Sequence, residues 1–492
     1  MGPLFKNAAA PAYHDGKLLV RMRPSESGLS GAAFASRLGG LAASAGMSAL
    51  SYYERAGMIR RVTPVARTGS RYAAGRFLAA DREQAFEAAM LTENLAATAV
   101  LANAAPPAGE RATTTSSLVE LASGQDLKTL QLALASDPSV AGVSRVPIRY
   151  LTARAPGGGA GAALAPPPAA TLWNLRKIRW AEARAKAGFQ EASAIRVAVL
   201  DTGVQADHPD LPPIRDYTFS HPDLPGASSD QDVIGHGTHV AGTIGATINN
   251  ELGINGICQC ELHIYKIFDD NPDLAQYDPY TASFVYYVDP IMYYRALIDC
   301  ADKAMHVVNL SIGGGGQPDM EEAAAFSDLV TGGTTVVAAM GNERAEGSPT
   351  SYPAAIPGVI AVGATGLQDR VAAFSNRGNH IAVCAPGEAI WSTLPQYPGQ
   401  TEWEAVRSPD GRWVTGRPVK RETDYDAWPG TSMATPHVTA AVALLLAEKG
   451  EIGPAAVRKA LEGASDKVAG MGGRDFHPDY GFGRLNLERL LA

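Results

Sequence analysis

Three short apolar runs, each ending at a polar residue beside glycine, constrain this chain most. Ile195-Arg-Val-Ala-Val-Leu200 runs into Asp201-Thr-Gly203, and Val307-Val-Asn-Leu310 into Ser311-Ile-Gly313. Thr334-Thr-Val-Val-Ala-Ala-Met340 runs into Gly341-Asn342. Short runs of this kind read as strands buried on both faces, as in a parallel sheet covered by helices. The residues that follow them fall at the carboxyl ends of the strands, where open α/β sheets gather their ligands.

Two helix starts complete the pattern. Gly235-His236-Gly-Thr-His-Val-Ala-Gly continues as a small-residue helix able to pack closely. Gly430-Thr-Ser432-Met-Ala-Thr-Pro-His opens a helix rich in Ala and Leu, with Pro436 in its first turn and Gly450 beyond its end. Ser432 would then lie at a helix N-terminus, whose free N–H groups favour a developing negative charge. A serine hydroxyl is a weak nucleophile near neutrality. It needs an imidazole to take its proton and a carboxylate to orient that imidazole. Asp201, His236 and Ser432 supply the three groups in that chain order.

With these flanks and this order, the stretch from Leu172 to Ala492 resembles the subtilisin-like serine proteases of peptidase family S8. The resemblance implies an α/β fold: a three-layer sandwich around a mostly parallel central sheet, beside a smaller α+β N-terminal domain. It implies a serine endopeptidase that works through an acyl-enzyme, with Asp201, His236 and Ser432 as triad and Asn342 as the side-chain donor to the oxyanion. Ser311, Ile312 and Gly313 match the segment that pairs with an extended substrate backbone. Glu343 and Ser351 match positions lining the primary specificity pocket, and a medium-sized apolar side chain is expected before the cut. No cofactor is required for catalysis. A structural calcium ion is expected, with Asp210 and Asn250 at two of its ligand positions.

The Ala/Gly/Pro-rich stretch 155–171 reads as a linker. It divides the catalytic region, 172–492, from an N-terminal region, 1–154. That region has strands at Lys17–Met22, Ser117–Leu121 and Val140–Val146, with a helix near Leu127–Ala135. Its β-α-β ending resembles the family's propeptide, which implies an intramolecular inhibitor occupying the cleft. Within it, Leu41 to Ile59 resembles the helix-turn-helix of MerR-type regulators, and Arg67–Tyr72 their wing. The presumed reading helix, around Met47 to Leu50, has no Arg, Lys, Asn or Gln to reach base edges, so nucleic acid is not expected as a partner. Two insertions stand out in the catalytic region. The resemblance implies that tyrosine-rich 269–294 borders the outer substrate pockets, and 395–428 reads as containing a hairpin turning at Asp410-Gly411.

The net charge of −8 argues against a general binder of nucleic acid or anionic membrane, and no apolar run reaches transmembrane length. No basic segment followed by an apolar core opens the sequence. The expectation is therefore a cytoplasmic protein, or export by a non-classical route. Cys258, Cys260, Cys300 and Cys384 fit neither a zinc nor a Cys-x-x-Cys pattern and read as buried thiols. Two other readings stay open: a DNA-associated regulator with an attached protease, and a binding module held inactive by a separate inhibitor protein.

Overall fold

The computed structural model describes residues 12–22, 49–65, 115–137, 139–152, 172–218, 231–270, 275–278, 283–450 and 452–492. The proposed linker, most of the middle of the N-terminal region, and both 41–48 and 67–72 lie outside the described residues.

The N-terminal part is a four-stranded antiparallel sheet. It is made of β1 (Tyr13–Met22), β2 (Ile59–Pro64), β3 (Thr115–Leu121) and β4 (Val140–Pro147), in the order β2-β3-β1-β4. Helices α1 (Ala49–Arg55) and α2 (Leu127–Ala135) accompany it. Asp126 caps α2 by accepting from the Thr129 N–H at 2.8 Å. Alternation along the strands splits their apolar residues between two faces. Leu18, Val20 and Val119 pack with Leu50 and Tyr53 of α1 and Leu130 and Leu134 of α2. Leu19, Leu118 and Val146, with Val65 just past β2, join a core cluster of the C-terminal part, residues 172–492, instead. The described part of the segment resembling a DNA-reading motif, 49–59, therefore supplies a helix that packs in this core and the first residue of β2.

The C-terminal part is built on seven parallel strands: β6 (Arg196–Asp201), β7 (Asp216–Thr218), β8 (Glu261–Lys266), β11 (Val307–Leu310), β13 (Thr335–Ala339), β14 (Ile360–Thr365) and β15 (Ile381–Pro386). Their order is β15-β14-β13-β11-β6-β8-β7. Helices α3 (His236–Gly245) and α6 (Thr431–Lys449) pack against strands of this sheet, as does α5 (Met320–Thr331), beside which α4 (Pro290–Asp302) lies. Residues Thr431 to Leu446 of α6 are all buried, the mark of a helix enclosed on every side. No helix among the described residues is long and apolar enough to cross a membrane.

The two insertions meet. Strands β9 (Gln276–Asp278) and β10 (Ser283–Val285) of the first pair with β17 (Gln400–Arg407) and β18 (Trp413–Lys420) of the second, in one sheet ordered β18-β17-β10-β9. Aromatic contacts weld it. Tyr277 stacks on Trp413 with ring centroids 5.3 Å apart, and Tyr286 meets Trp403 edge-on at 4.6 Å. The second insertion returns as β19 (Asp424–Trp428), paired with β16 (Ile390–Leu394). The four cysteines form no disulfide.

Candidate active site

Asp201 ends β6 at the carboxyl edge of the sheet, and His236 opens α3. Their approach depends on Gly237, because a Cβ there would lie 2.0 Å from the Gly203 carbonyl oxygen. With that approach, His236 Nδ1 donates to Asp201 Oδ1 at 2.7 Å, both side chains being buried. The Thr202 N–H also donates to Asp201 Oδ1, at 2.7 Å.

Asp232, four residues before His236, holds this corner, and the sequence reading missed it. Its buried carboxylate accepts from the Gly235 and Thr238 N–H groups, each at 2.8 Å, and from the Thr202 and Thr238 hydroxyls, each at 2.7 Å. It thereby satisfies free donors at the start of α3 and ties them to the residue after Asp201. The signal available was an acidic residue just ahead of a glycine-flanked helix start. On the other side Trp428, delivered by β19, stacks on His239 at 5.3 Å.

Ser432 lies in the first turn of α6, buried. Its hydroxyl donates to the Ser311 carbonyl oxygen at 2.8 Å and shares a 2.7 Å hydrogen bond with Thr152 Oγ1. His236 Nε2 has no hydrogen-bond partner among the described residues. Asn342 follows β13. Its Oδ1 accepts from the Thr431 N–H at 3.0 Å and the Thr431 hydroxyl at 2.9 Å, which fixes its amide nitrogen toward Ser432.

That amide nitrogen donates to the carbonyl oxygen of Thr152 at 2.5 Å, and the Ser432 N–H donates to the same oxygen at 3.2 Å. Thr152 follows the N-terminal sheet by five residues. β5 (Tyr150–Leu151) pairs antiparallel with β12 (Ile312–Gly313), matching Leu151 to Ile312 and Tyr150 to Gly313. The Thr152 N–H reaches the Ser311 carbonyl at 3.4 Å, and the Val288 N–H donates to the Arg149 carbonyl at 2.9 Å. The segment is thus an added strand held from both sides, the mode in which main-chain bonds give affinity and side-chain pockets give choice.

The five sequence-predicted substrate-binding residues gather here. Ser311, Ile312 and Gly313 bind the main chain of Tyr150 to Thr152. Glycine is required at 313, since a Cβ would lie 2.6 Å from Ser351 Oγ and 2.7 Å from Thr152 Cγ2. Ser351 thus bounds the space around the Thr152 side chain, which is smaller and more polar than the apolar side chain expected there. Glu343 is screened from solvent, and this raises its carboxyl pKa. Hydrogen bonds from Asn376 (2.7 Å) and Tyr150 work against the rise.

The expected calcium ligands do not fit a cation. The Asn250 side-chain N–H donates to Asp210 Oδ1 at 2.9 Å, so a donor occupies the place of a ligand oxygen. Asp210 Oδ2 accepts from the Ile254 N–H at 2.9 Å and the Tyr425 hydroxyl at 3.2 Å. Asn250 Oδ1 is used by the Leu252 N–H at 3.0 Å. Burial raises the pKa of Asp210, and the hydrogen bonds from the Ile254 N–H, Asn250 and Tyr425 work against the rise. In this structure the hydrogen bonds of Asp210 and Asn250 anchor the loop. Among the described residues no cluster of His, Cys, Asp and Glu is arranged to hold a metal ion.

Comparison with known proteins agrees with this architecture. The model of the subtilase family, peptidase S8, matches residues 192–483. Subtilisin E of Bacillus subtilis is 33% identical over 302 residues, which cover 60% of this chain and 65% of the relative. Subtilisin of Bacillus pumilus is 33% identical over 302 residues, covering 60% of this chain and 90% of its own length. Among solved structures, fervidolysin of Fervidobacterium pennivorans, described as a keratinolytic enzyme related to subtilisin, aligns with a TM-score of 0.58 at 24% identity. That alignment spans 99% of this chain and 62% of fervidolysin, a likeness of fold.

Proposed function

The chain belongs to the subtilase family, and on that premise we propose that it is a serine endopeptidase whose first substrate is its own Thr152–Ala153 bond. One observation carries the reading: the Thr152 carbonyl oxygen accepts from both Asn342 and the Ser432 N–H while its strand lies along β12. This is how an extended peptide must lie when its next bond is to be cut.

The chemistry follows from the groups around that carbonyl. The Ser432 hydroxyl turns from the Ser311 carbonyl to His236 Nε2, gives up its proton there and attacks the Thr152 carbonyl carbon. Asp201 keeps His236 Nδ1 protonated and steadies the imidazolium. The tetrahedral oxyanion is held by Asn342 Nδ2–H and the Ser432 N–H. His236 then protonates the departing Ala153 nitrogen, the C–N bond breaks, and an ester joins Thr152 to Ser432. Water, deprotonated by His236, hydrolyses the ester and leaves Thr152 as a carboxylate. Protein substrates afterwards take the same path.

Until the N-terminal domain leaves, it inhibits. Its strand fills the cleft, and its sheet rests on α5. Gly142 packs against Met320, Arg21 pairs with Glu321 at 2.5 Å, and Ser116 donates to the same carboxylate. Wild-type protein incubated for hours should take up a fluorophosphonate on Ser432 and hydrolyse casein, while the Ser432→Ala chain should do neither. Wild-type protein inert in both assays overturns the reading.

A further inference from the structure

With Thr152 as the residue before the cut, Arg149 is the fourth residue before it, and its side chain lies in a pocket built for its charge. Arg149 Nε and Nη2 donate to Glu322 Oε1 and Oε2 at 2.9 and 2.6 Å, a two-pronged pairing. Nη1 donates to the Gly316 carbonyl at 2.9 Å. Glu322 Oε1 also accepts from the Tyr293 hydroxyl at 3.0 Å. The two charged side chains are 1% and 0% exposed. The residual cavity beside the guanidinium, between Pro290, Tyr293 and Tyr294, is about 10 Å³.

We infer that this pocket selects arginine at the fourth position before the cleaved bond in every substrate, with Glu322 as the selecting residue. The inference rests on the reading of Thr152 as the residue at the cut. Glu322 belongs to α5 of the catalytic part, so it remains when the N-terminal domain departs. A carboxylate buried without a cation is costly, so a substrate that brings a guanidinium repays more than one that brings a methyl group. The planar fork matches both carboxylate oxygens, which an ammonium cannot do.

The alternative role for the pair is a tether that fastens the N-terminal domain. Short peptides separate the two roles, because they carry no such domain. Acyl-Xaa-Tyr-Leu-Thr aminomethylcoumarin amides, with Xaa arginine, citrulline or alanine, would be given to full-length protein already incubated to completion. The ratio of their kcat/KM values does not depend on the fraction of free active sites. Arginine should exceed both citrulline, its uncharged near-isostere, and alanine by on the order of 100-fold. Glu322→Gln should shrink that ratio to less than about tenfold. If Glu322→Gln does not fold, the citrulline comparison on unaltered protein still decides.

Kcat/KM values for the three peptides within about threefold of each other, on protein whose Ser432 takes up fluorophosphonate, would overturn the inference and leave the protease reading standing. So would a labelled protein that cuts none of them. Protein that neither labels nor cuts would overturn both.

Discussion

Asn342 and Thr152 are joined across 190 residues by one hydrogen bond, amide nitrogen to carbonyl oxygen. Thr431 holds the other end of the Asn342 amide, so the donor is aimed before any substrate arrives. A donor fixed in advance costs no reorganisation when the oxyanion forms. Asn342→Ala should lower kcat by about 10²–10³ and move KM little, the size known for the side-chain donor of subtilisin. Steady-state kinetics on a peptide amide checks this. A kcat within about threefold of wild type would remove Asn342 from the oxyanion site.

Asp232→Asn should damage the site without touching substrate. An amide in place of the carboxylate turns one acceptor into a donor, facing the Gly235 and Thr238 donors. The expected loss is about 1–3 kcal/mol of stability. Slower fluorophosphonate labelling should accompany it, since α3 carries His236. Thermal melts and labelling rates measured together test the link. Labelling at the wild-type rate in a destabilised protein would show that Asp232 supports the fold alone.

Stability should fall in mild acid. Burial pulls the pKa of His239 down to about 3 and that of His437 to about 4. Burial, with Lys17 and Arg149 adding to it, takes His14 to about 3. His437 is fixed as neutral, with Nδ1 donating to the Met433 carbonyl at 2.8 Å and Nε2 accepting from Asn174 at 3.0 Å. Below the ordinary histidine range the unfolded chain binds more protons than the folded one. The contribution is therefore complete above about pH 6.5 and is lost as pH falls toward 4. Each tenfold drop in a histidine's proton affinity on folding corresponds to about 1.4 kcal/mol. Asp319 opposes this. Burial, then the neighbouring Glu322, pushes its carboxyl up to about 7, so what it contributes falls as pH rises from about 4 to 7. Asp210, Asp270 and Glu343, each raised by burial, act in the same sense as Asp319, while His380, which burial lowers to about 4, joins the three histidines; the histidines, lowered further, outweigh the carboxyls. Melts of the Ser432→Ala chain should drop by at least several degrees from pH 7 to 4.5, and a flat profile contradicts the account.

Release of the N-terminal domain should be tunable from its surface. Arg21 and Ser116 converge on Glu321, which lies largely out of solvent. Arg21→Glu would set two carboxylates against each other there. Casein hydrolysis should then begin about tenfold sooner, with the position of the cut unchanged. An unaltered onset would show that the contact contributes nothing to retention.

Much of the fold was legible because it is local. Short apolar runs rich in valine mark β6, β11 and β13. Glycines beside His236 and Ser432 mark helix starts, and Asp410-Gly411 marks the β17–β18 turn. The parts that were illegible are contacts between residues far apart in the chain. Nothing near Arg149 announces Glu322, 173 residues on, and nothing in either insertion says that Phe284 will pair with Trp403. Asp210 and Asn250 show the limit from the other side. Their types suit a cation, but the Ile254 N–H and the Tyr425 hydroxyl had already claimed the carboxylate.

The most direct measurement is intact mass and N-terminal sequencing of wild-type protein beside Ser432→Ala, followed over hours. The account predicts that wild type yields a fragment ending at Thr152 and a larger one beginning Ala153-Arg154-Ala155, while Ser432→Ala stays whole. A cut at another bond, equal cutting of both chains, or a wild type that stays whole would contradict it.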